Sequence, residues 1–257
     1  MSPSTVPPPH AAVKRASMPL PVSFVSLHAE GLRDVNLEIR AGEVLAFVGA
    51  TPGTENLVGT ESLLGTENDG ASRLLRAVAG LDHPRSGSVL VGGEPVRRTD
   101  DRCSWTPSDA ALQPTHSLQA NLALGLRKSS SASEGKAKIA ELLDLAGLHR
   151  FAKLLPTDAT AEIVRRAALA RALASGPGVM LLDNPFAAVE GAARTVLHNV
   201  LQTLHRALPT TVLLATNSME EALRLADRVV VLGRSAAEDV TGALSIREIR
   251  DGQRKQR

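Results

Sequence analysis

Residues 65–72, Gly65-Thr66-Glu67-Asn68-Asp69-Gly70-Ala71-Ser72, have the spacing of a loop that cradles phosphate, but not its charge. The apolar run Val44-Leu45-Ala46-Phe47-Val48-Gly49 before them predicts a buried strand, and residues 73–81 after them predict a helix. Strand, glycine-rich loop and helix are the setting of a P-loop, G-x-x-x-x-G-K-[ST], where backbone N–H groups and a lysine hold phosphates and the hydroxyl ligates Mg²⁺. Gly65 and Gly70 stand at the two outer glycines and Ser72 at the hydroxyl, while Ala71 occupies the lysine position. Arg73 is the next cation, two residues on, where the helix points its side chain elsewhere. Glu67 and Asp69 set carboxylates beside the place of a polyanion, and like charges repel. The charge argument predicts weak ATP binding at Gly65, Gly70, Ala71, Ser72 and Arg73.

The elements around this loop carry an oddity. Residues 53–58, 59–64 and 65–70 each begin Gly-Thr-Glu, a tandem hexapeptide in three copies, too few for a solenoid. Two copies, residues 53–64, read as an insertion that bulges from the strand–helix junction, either as a partner-binding or occluding loop or as a tolerated duplication. Residues 35–39 alternate as a strand, and residues 87–93 read as a strand ending in a glycine turn. From Asp100 to about Gly176 the character turns helical: a short helix at 118–126, a loop at 129–133, a helix with the apolar stripe Ile139, Leu142, Leu143 and Ala146, and a helix at 161–174 with Arg165, Arg166 and Arg171 on its polar side. Residues 179–182, 211–215 and 229–232 are continuous apolar runs, which strands covered on both faces require. A helix at about 192–208 separates the first two. The capping box Ser218-Met219-Glu220-Glu221 opens another helix through Leu225. The alternation predicts an α/β fold with a mostly parallel sheet and a helical insertion.

Composition narrows the function classes. A hydrophobic content of 43% supports a real core in 257 residues, and with four Phe, one Trp and no Tyr that core is aliphatic. Stacking platforms for single-stranded nucleic acid are almost lacking, and a net charge of +2 is too mild to imply DNA binding, so no nucleic-acid partner is expected. The single cysteine, Cys103, excludes an internal disulfide framework and a cysteine-based zinc site, which suits a reducing, intracellular setting. No apolar run approaches the length that spans a bilayer. Residues 1–21, rich in Pro and Ser, read as a disordered tail, with an organellar transit peptide as the alternative because no acidic residue precedes Glu30. Residues 236–257 read as a basic C-terminal tail.

Taken in order, these segments give the chain a family resemblance. It resembles the nucleotide-binding subunit of an ATP-binding cassette (ABC) transporter from about residue 32 to residue 233. The motifs that carry the resemblance are residues 32–43, Leu74-Leu75-Arg76-Ala77-Val78-Ala79-Gly80-Leu81, Ser86-Gly87-Ser88, Ala168-Leu169-Ala170-Arg171-Ala172-Leu173, Leu181-Leu182-Asp183-Asn184-Pro185-Phe186 and Ala226-Asp227-Arg228-Val229. The nearest flavour is that of import-type subunits serving nitrate, sulfonate or taurine. The resemblance implies a P-loop NTPase-like domain over residues 22–235 with a helical subdomain at about 100–176. It also implies ATP and Mg²⁺ as cofactors, an integral-membrane permease as partner, and a peripheral place on the inner face of the cytoplasmic membrane.

The reactive positions implied by the resemblance depart from the family one after another. The family's apolar strand ends in an Asp that holds Mg²⁺ and a Glu that activates water. Asp183 is kept, leaving Asp183 and Ser72 as the residual Mg²⁺ ligands, but Asn184 replaces the Glu, and an amide accepts no proton at neutral pH. The switch histidine is Asn217, the glutamine that senses Mg²⁺ falls at Ser108, and the acidic residue of the loop after Asn184 is Glu190. The signature Leu-Ser-Gly-Gly-Gln becomes Ala159-Thr160-Ala161-Glu162-Ile163, with Glu162 of the wrong charge beside a phosphate. The expectation is a degenerate subunit: ATP weakly held, hydrolysis lost, and pairing with an active sibling subunit rather than with itself. An active ATPase with atypical motifs and a soluble, repurposed cassette are the alternatives.

Overall fold

The computed structural model describes residues 18–29, 32–49, 69–127, 131–232 and 244–245. Gly65, Glu67 and the hexapeptide insertion 53–64 lie outside them, as does most of both tails. The described chain opens with β1 (Val22–Ala29) and β2 (Leu32–Ile39), an antiparallel pair whose buried residues, Val22, Phe24 and Leu27 against Val35, Leu37 and Ile39, share one face. β3 (Val44–Gly49) is an unbroken apolar strand, and α1 (Asp69–Val78) follows, packing Leu74, Leu75 and Val78 into the core. Gly80 closes α1 at φ 69°, where an added Cβ would stand 2.0 Å from the Arg98 carbonyl oxygen, so only glycine fits there. β4 (Ser86–Val91) and β5 (Glu94–Pro95) return to complete a four-stranded sheet of order β2-β1-β4-β5, antiparallel throughout.

The chain then crosses to a second sheet. β6 (Cys103–Thr106) is its edge, inside the stretch that periodicity reads as helical. Its sequence, Cys-Ser-Trp-Thr, is too short and too polar to announce a strand, and the ladder to its parallel neighbour makes it one. Three helices follow: α2 (Leu118–Leu124), α3 (Ala132–Leu145) and α4 (Ala161–Ala172), with 3₁₀ turns at His149–Phe151 and Pro156–Asp158. Ser131, read as loop, caps α3: its hydroxyl accepts the Glu134 N–H while the Glu134 carboxylate accepts the Ser131 N–H at 2.9 Å, a full capping box. β7 (Val179–Asp183), α5 (Gly191–Ala207), β8 (Thr211–Thr216), α6 (Met219–Leu225), β9 (Arg228–Leu232) and the short β10 (Leu244–Ser245) complete the order.

The second sheet runs β10-β9-β3-β8-β7-β6, parallel except at β10. Its continuous apolar strands are covered on both faces, as their lack of alternation requires. Val44, Ala46 and Val48 of β3 face one core with Leu182, Leu214, Leu122 and Leu169; Leu45 and Phe47 face the other with Leu74, Leu181 and Leu213. The fold is therefore the α/β architecture expected. The antiparallel sheet is an addition to that reading, since β1 was not singled out and its bulges at Phe24–Leu27 and Leu27–Ala29 break its alternation.

One buried amide ties the helical part together. Asn121 of α2 is fully buried; its Oδ1 accepts the Gln113 N–H at 2.7 Å, and its Nδ2 reaches the carbonyls of Gln113, His116 and Ser117 at 2.9–3.1 Å. Asn121→Ala would strand those groups away from water. It is expected to cost about 2–4 kcal/mol, read as a lower urea midpoint with faster hydrogen exchange at the Gln113 amide.

Candidate functional site

The parallel strands end together, and ligand sites of open α/β sheets lie beyond such ends. In register, Asp183 of β7 stands opposite Ala215 of β8, and Thr216 stands opposite Val48 of β3. Asp183 is the first residue of β7 to leave full burial. Its Oδ1 accepts the Ser72 hydroxyl at 2.7 Å and the Asn184 Nδ2 at 3.2 Å. Ser72 reaches it from the first turn of α1, which packs on β3 and β7. Asn184 sits at φ 44°, a left-handed conformation that Asn tolerates better than most residues. Its N–H donates to the Ala215 carbonyl at 2.9 Å, and its own carbonyl accepts the Ala187 N–H at 3.1 Å. The amide turns its NH₂ toward Asp183 because a carboxylate only accepts.

Thus Ser72 and the consecutive pair Asp183 and Asn184, distant from it in sequence, form one hydrogen-bonded group. Gly70 precedes it on α1, where an added Cβ would meet Leu232 and Leu32 at ordinary contact distances, 3.5 and 3.6 Å. Ala71 is buried against the Leu74–Leu75 core and contributes apolar contact, with no cation to offer a phosphate. Arg73 is half-buried, with its charge favouring the ionised Asp82 of the Arg76–Asp82 pair. Asn217 is exposed just past β8, and Ser108 is exposed in the loop after β6.

The segment at residues 159–163 keeps to local bonds. Ala159 ends a 3₁₀ turn, Thr160 caps α4 by accepting the Ile163 N–H at 3.4 Å, Ala161 begins the helix, and Glu162 pairs with Arg166 one turn on. The pair is mostly buried, with side chains 23% and 17% exposed, so Glu162 lies along its own helix rather than standing as an open charge. Among the residues that sequence reasoning left as helix surface, Arg171 holds the Ser108 loop: its guanidinium donates to the Ala111 and Ala110 carbonyls at 2.8 and 3.1 Å. Those alanines sit at φ 41° and 65°, costly for a residue with a Cβ, and Arg171 helps hold them there. Burial pulls the Arg165 and Arg171 guanidinium pKa values down, with Asp109 opposing it. No periodicity could have marked Arg171, since its partners are backbone carbonyls sixty residues away in sequence.

Comparison with known proteins places this geometry. A family model described as "ABC transporter" matches residues 59–187. An aliphatic sulfonates import ATP-binding protein of Xanthomonas axonopodis pv. citri is 34% identical over 79% of this chain and 75% of its own length. The chain belongs to the ABC transporter family. Other members are similar over shorter shares of their length: a sulfate/thiosulfate import ATP-binding protein of Agrobacterium fabrum is 36% identical over 81% of this chain and 58% of its own, and an Fe(3+) ions import ATP-binding protein of Rhizobium meliloti is 32% identical over 81% and 50%. The chain thus spans little more than half the length of these two relatives. The ABC fold itself recurs in the ATP-binding cassette MJ0796 in a dimeric post-hydrolysis state bound to ADP and Pi, at TM-score 0.66, 23% identity and coverage of 88% and 98%.

Do the residues of this ABC chain fit a magnesium–nucleotide? Asp183 and Ser72 are oxygen ligands of the kind Mg²⁺ takes. Asp183 Oδ1 receives two hydrogen bonds, one from Ser72 itself and one from an Asn184 amide that brings donors where a second carboxylate would bring lone pairs. Position 71 has no cation for the phosphates. The described residues hold no group of three His, Cys, Asp or Glu that would take a metal instead.

Behind Asn217 lies a buried ionic group. The Thr216 hydroxyl donates to Glu221 Oε2 at 2.5 Å and accepts the Ser218 N–H at 3.1 Å, while Arg194 and His198 stand 3.6 and 3.8 Å from Oε1. Glu221 therefore completes only half the expected capping box: its N–H goes to Ser218 Oγ, and its side chain to Thr216. Burial works to raise the Glu221 carboxyl and is outweighed by His198, Thr216 and Arg194, which hold it below the ordinary carboxylate range. A carboxyl depressed in the folded state adds stability that is complete above its unfolded pKa of about 4.3. That stability is lost as pH falls through the folded value. Urea unfolding from about pH 3 to pH 7 is expected to show this acid-side loss, and Glu221→Gln to flatten it while lowering stability at neutral pH.

Proposed function

We propose that this chain is a nucleotide-binding subunit of an ABC importer that binds ATP weakly and does not hydrolyse it. It serves as the scaffolding or regulatory half of a pair. The observation that carries the reading is Asn184: the position after Asp183, at the mouth of the parallel sheet, holds an amide that donates to Asp183. A group in that role cannot take a proton from water at neutral pH. Ala71 supports the reading, since it leaves phosphate without a lysine. If Mg²⁺ enters at all, Asp183 and Ser72 are the ligands the fold offers it.

Partners follow from the family and from the packing. The relatives named above are import proteins, and an importer subunit works beneath an integral-membrane permease. Among the described residues no helix is long and apolar enough to cross a membrane, so the attachment we propose is peripheral, on the cytoplasmic face. Leu118 to Leu124 and the joint fixed by Asn121 keep the helical part ordered through packing rather than phosphate. A permease can therefore be docked without nucleotide. The second subunit of the pair is an active sibling, because two copies of this chain would bring together two sites lacking a base.

The test is ATP turnover. Phosphate release by the purified chain is expected to match that of Asp183→Ala, and Asn184→Glu alone is expected to restore no turnover, because Ala71, Asn217 and residues 159–163 remain altered and such groups act as a unit. Turnover that drops on Asp183→Ala would overturn the proposal in favour of an active ATPase. Pull-down from native membranes that recovers no permease would favour a soluble, repurposed cassette.

A further inference from the structure

Charges at two separate poles of the chain, the end of β7 and the start of α4, are met from within it. At the sheet, Asp183 Oδ1 is covered by two donors, Ser72 Oγ at 2.7 Å and Asn184 Nδ2 at 3.2 Å. Two hydrogen bonds to a carboxylate oxygen stabilise its charge, the task a divalent cation performs in an ion-dependent site. Asn184 is delivered there by its backbone, with φ 44° and bonds to Ala215 and Ala187 on either side of its peptide group. At the other pole, the N-terminus of α4 carries the positive end of a helix dipole, which favours an anion. The chain supplies that anion as Glu162 in the first turn, held by Arg166 and flanked by the Thr160 cap.

We propose that Ser72, Asp183 and Asn184 form a cation-independent clasp joining α1 to the end of β7, and that Asn184 is the residue that excludes a divalent cation from the site. The clasp holds the subunit in its assembled conformation without Mg²⁺ or nucleotide. Only its consequence for the subunit pair, an assembly indifferent to ATP, rests on the reading given above. Three features of the geometry bear on the assignment. Ser72 and Asn184 converge on the same oxygen. They come from two elements, the first turn of α1 and the residue that follows β7, and Ser72 is 111 residues from Asp183 in sequence. And a carboxylate at position 184 would turn one donor into a second anion beside Asp183, which only a cation could relieve.

The experiment is thermal unfolding of the full chain in EDTA and in millimolar Mg²⁺, with and without ATP. The wild-type midpoint is expected to be the same in EDTA and in Mg²⁺, and to rise only slightly with ATP in either buffer. Ser72→Ala removes one charge-assisted bond and is expected to lower it by about 3–8 °C in every buffer. Asn184→Asp is expected to melt lower than wild type in EDTA and to recover several degrees on addition of Mg²⁺ alone. Should Asn184→Asp fail to fold, Asn184→Ala takes its place, expected to melt lower than wild type and to stay indifferent to Mg²⁺. A wild-type midpoint that rises with Mg²⁺ alone overturns the clasp, as does a Ser72→Ala midpoint equal to wild type or an Asn184→Asp midpoint blind to Mg²⁺. These outcomes are separable from the turnover test: a Mg²⁺-dependent melt without phosphate release removes the clasp and keeps the reading of an inactive subunit, whereas phosphate release equal in EDTA and in Mg²⁺, with a Mg²⁺-indifferent melt, removes that reading and keeps the clasp.

Discussion

Between β7 and β8 the parallel ladder sets Asp183 opposite Ala215, and everything reactive in the chain is placed by that register. A slip of one residue would turn each side chain of β7 to the other face and either draw Asp183 in among the leucines or push Leu182 out to the strand end. The slip is forbidden because β7 and β8 are packed on both sides, so either face would lose apolar burial worth about 1.5–3 kcal/mol per large side chain. The same ladder supplies the Ala215 carbonyl that anchors the Asn184 peptide, and β3 next to β8 carries the chain toward α1 and Ser72.

Polar contacts then fix what the sheet leaves loose. Asn121 gathers the carbonyls that lead into α2, Arg171 holds two left-handed alanines beside Ser108, and Glu221 binds Thr216 under Asn217. Each is a buried or half-buried polar group whose partners are satisfied inside the chain, and such groups are costly to leave half-made. The described loops after β6 and β8 are thus held by the protein's own donors and acceptors.

Folding and chemistry draw on separate residues here. Leu74, Leu181 and Leu213 build the core, and truncating any one of them would cost about 2–5 kcal/mol. Ala71 fits among the core leucines beside Leu74 and Leu75, and Asn184 suits its left-handed backbone. The architecture of this ABC chain therefore rests on residues other than those at the end of β7.

The parallel strands were legible from residues 44–49, 179–182, 211–215 and 229–232 because burial on both faces forces an unbroken apolar run, a pattern that needs no knowledge of partners. The helix at 161–174 was legible for a related reason, although its last turn loosens after Ala172. Ser72, Asp183 and Asn184 could be picked out by type and spacing through the family resemblance. What the sequence could not reveal was which donor meets which acceptor. β6 is a strand only because β7 offers it a ladder, Ser72 meets Asp183 only because α1 packs on β7, and Arg171 reaches the Ala110 and Ala111 carbonyls only because α4 lies beside their loop. Local pattern determines which segments are buried, since burial follows from side-chain type. Pairing across long stretches of chain depends on where the packed core sets each backbone, and that was decided by the tertiary structure alone.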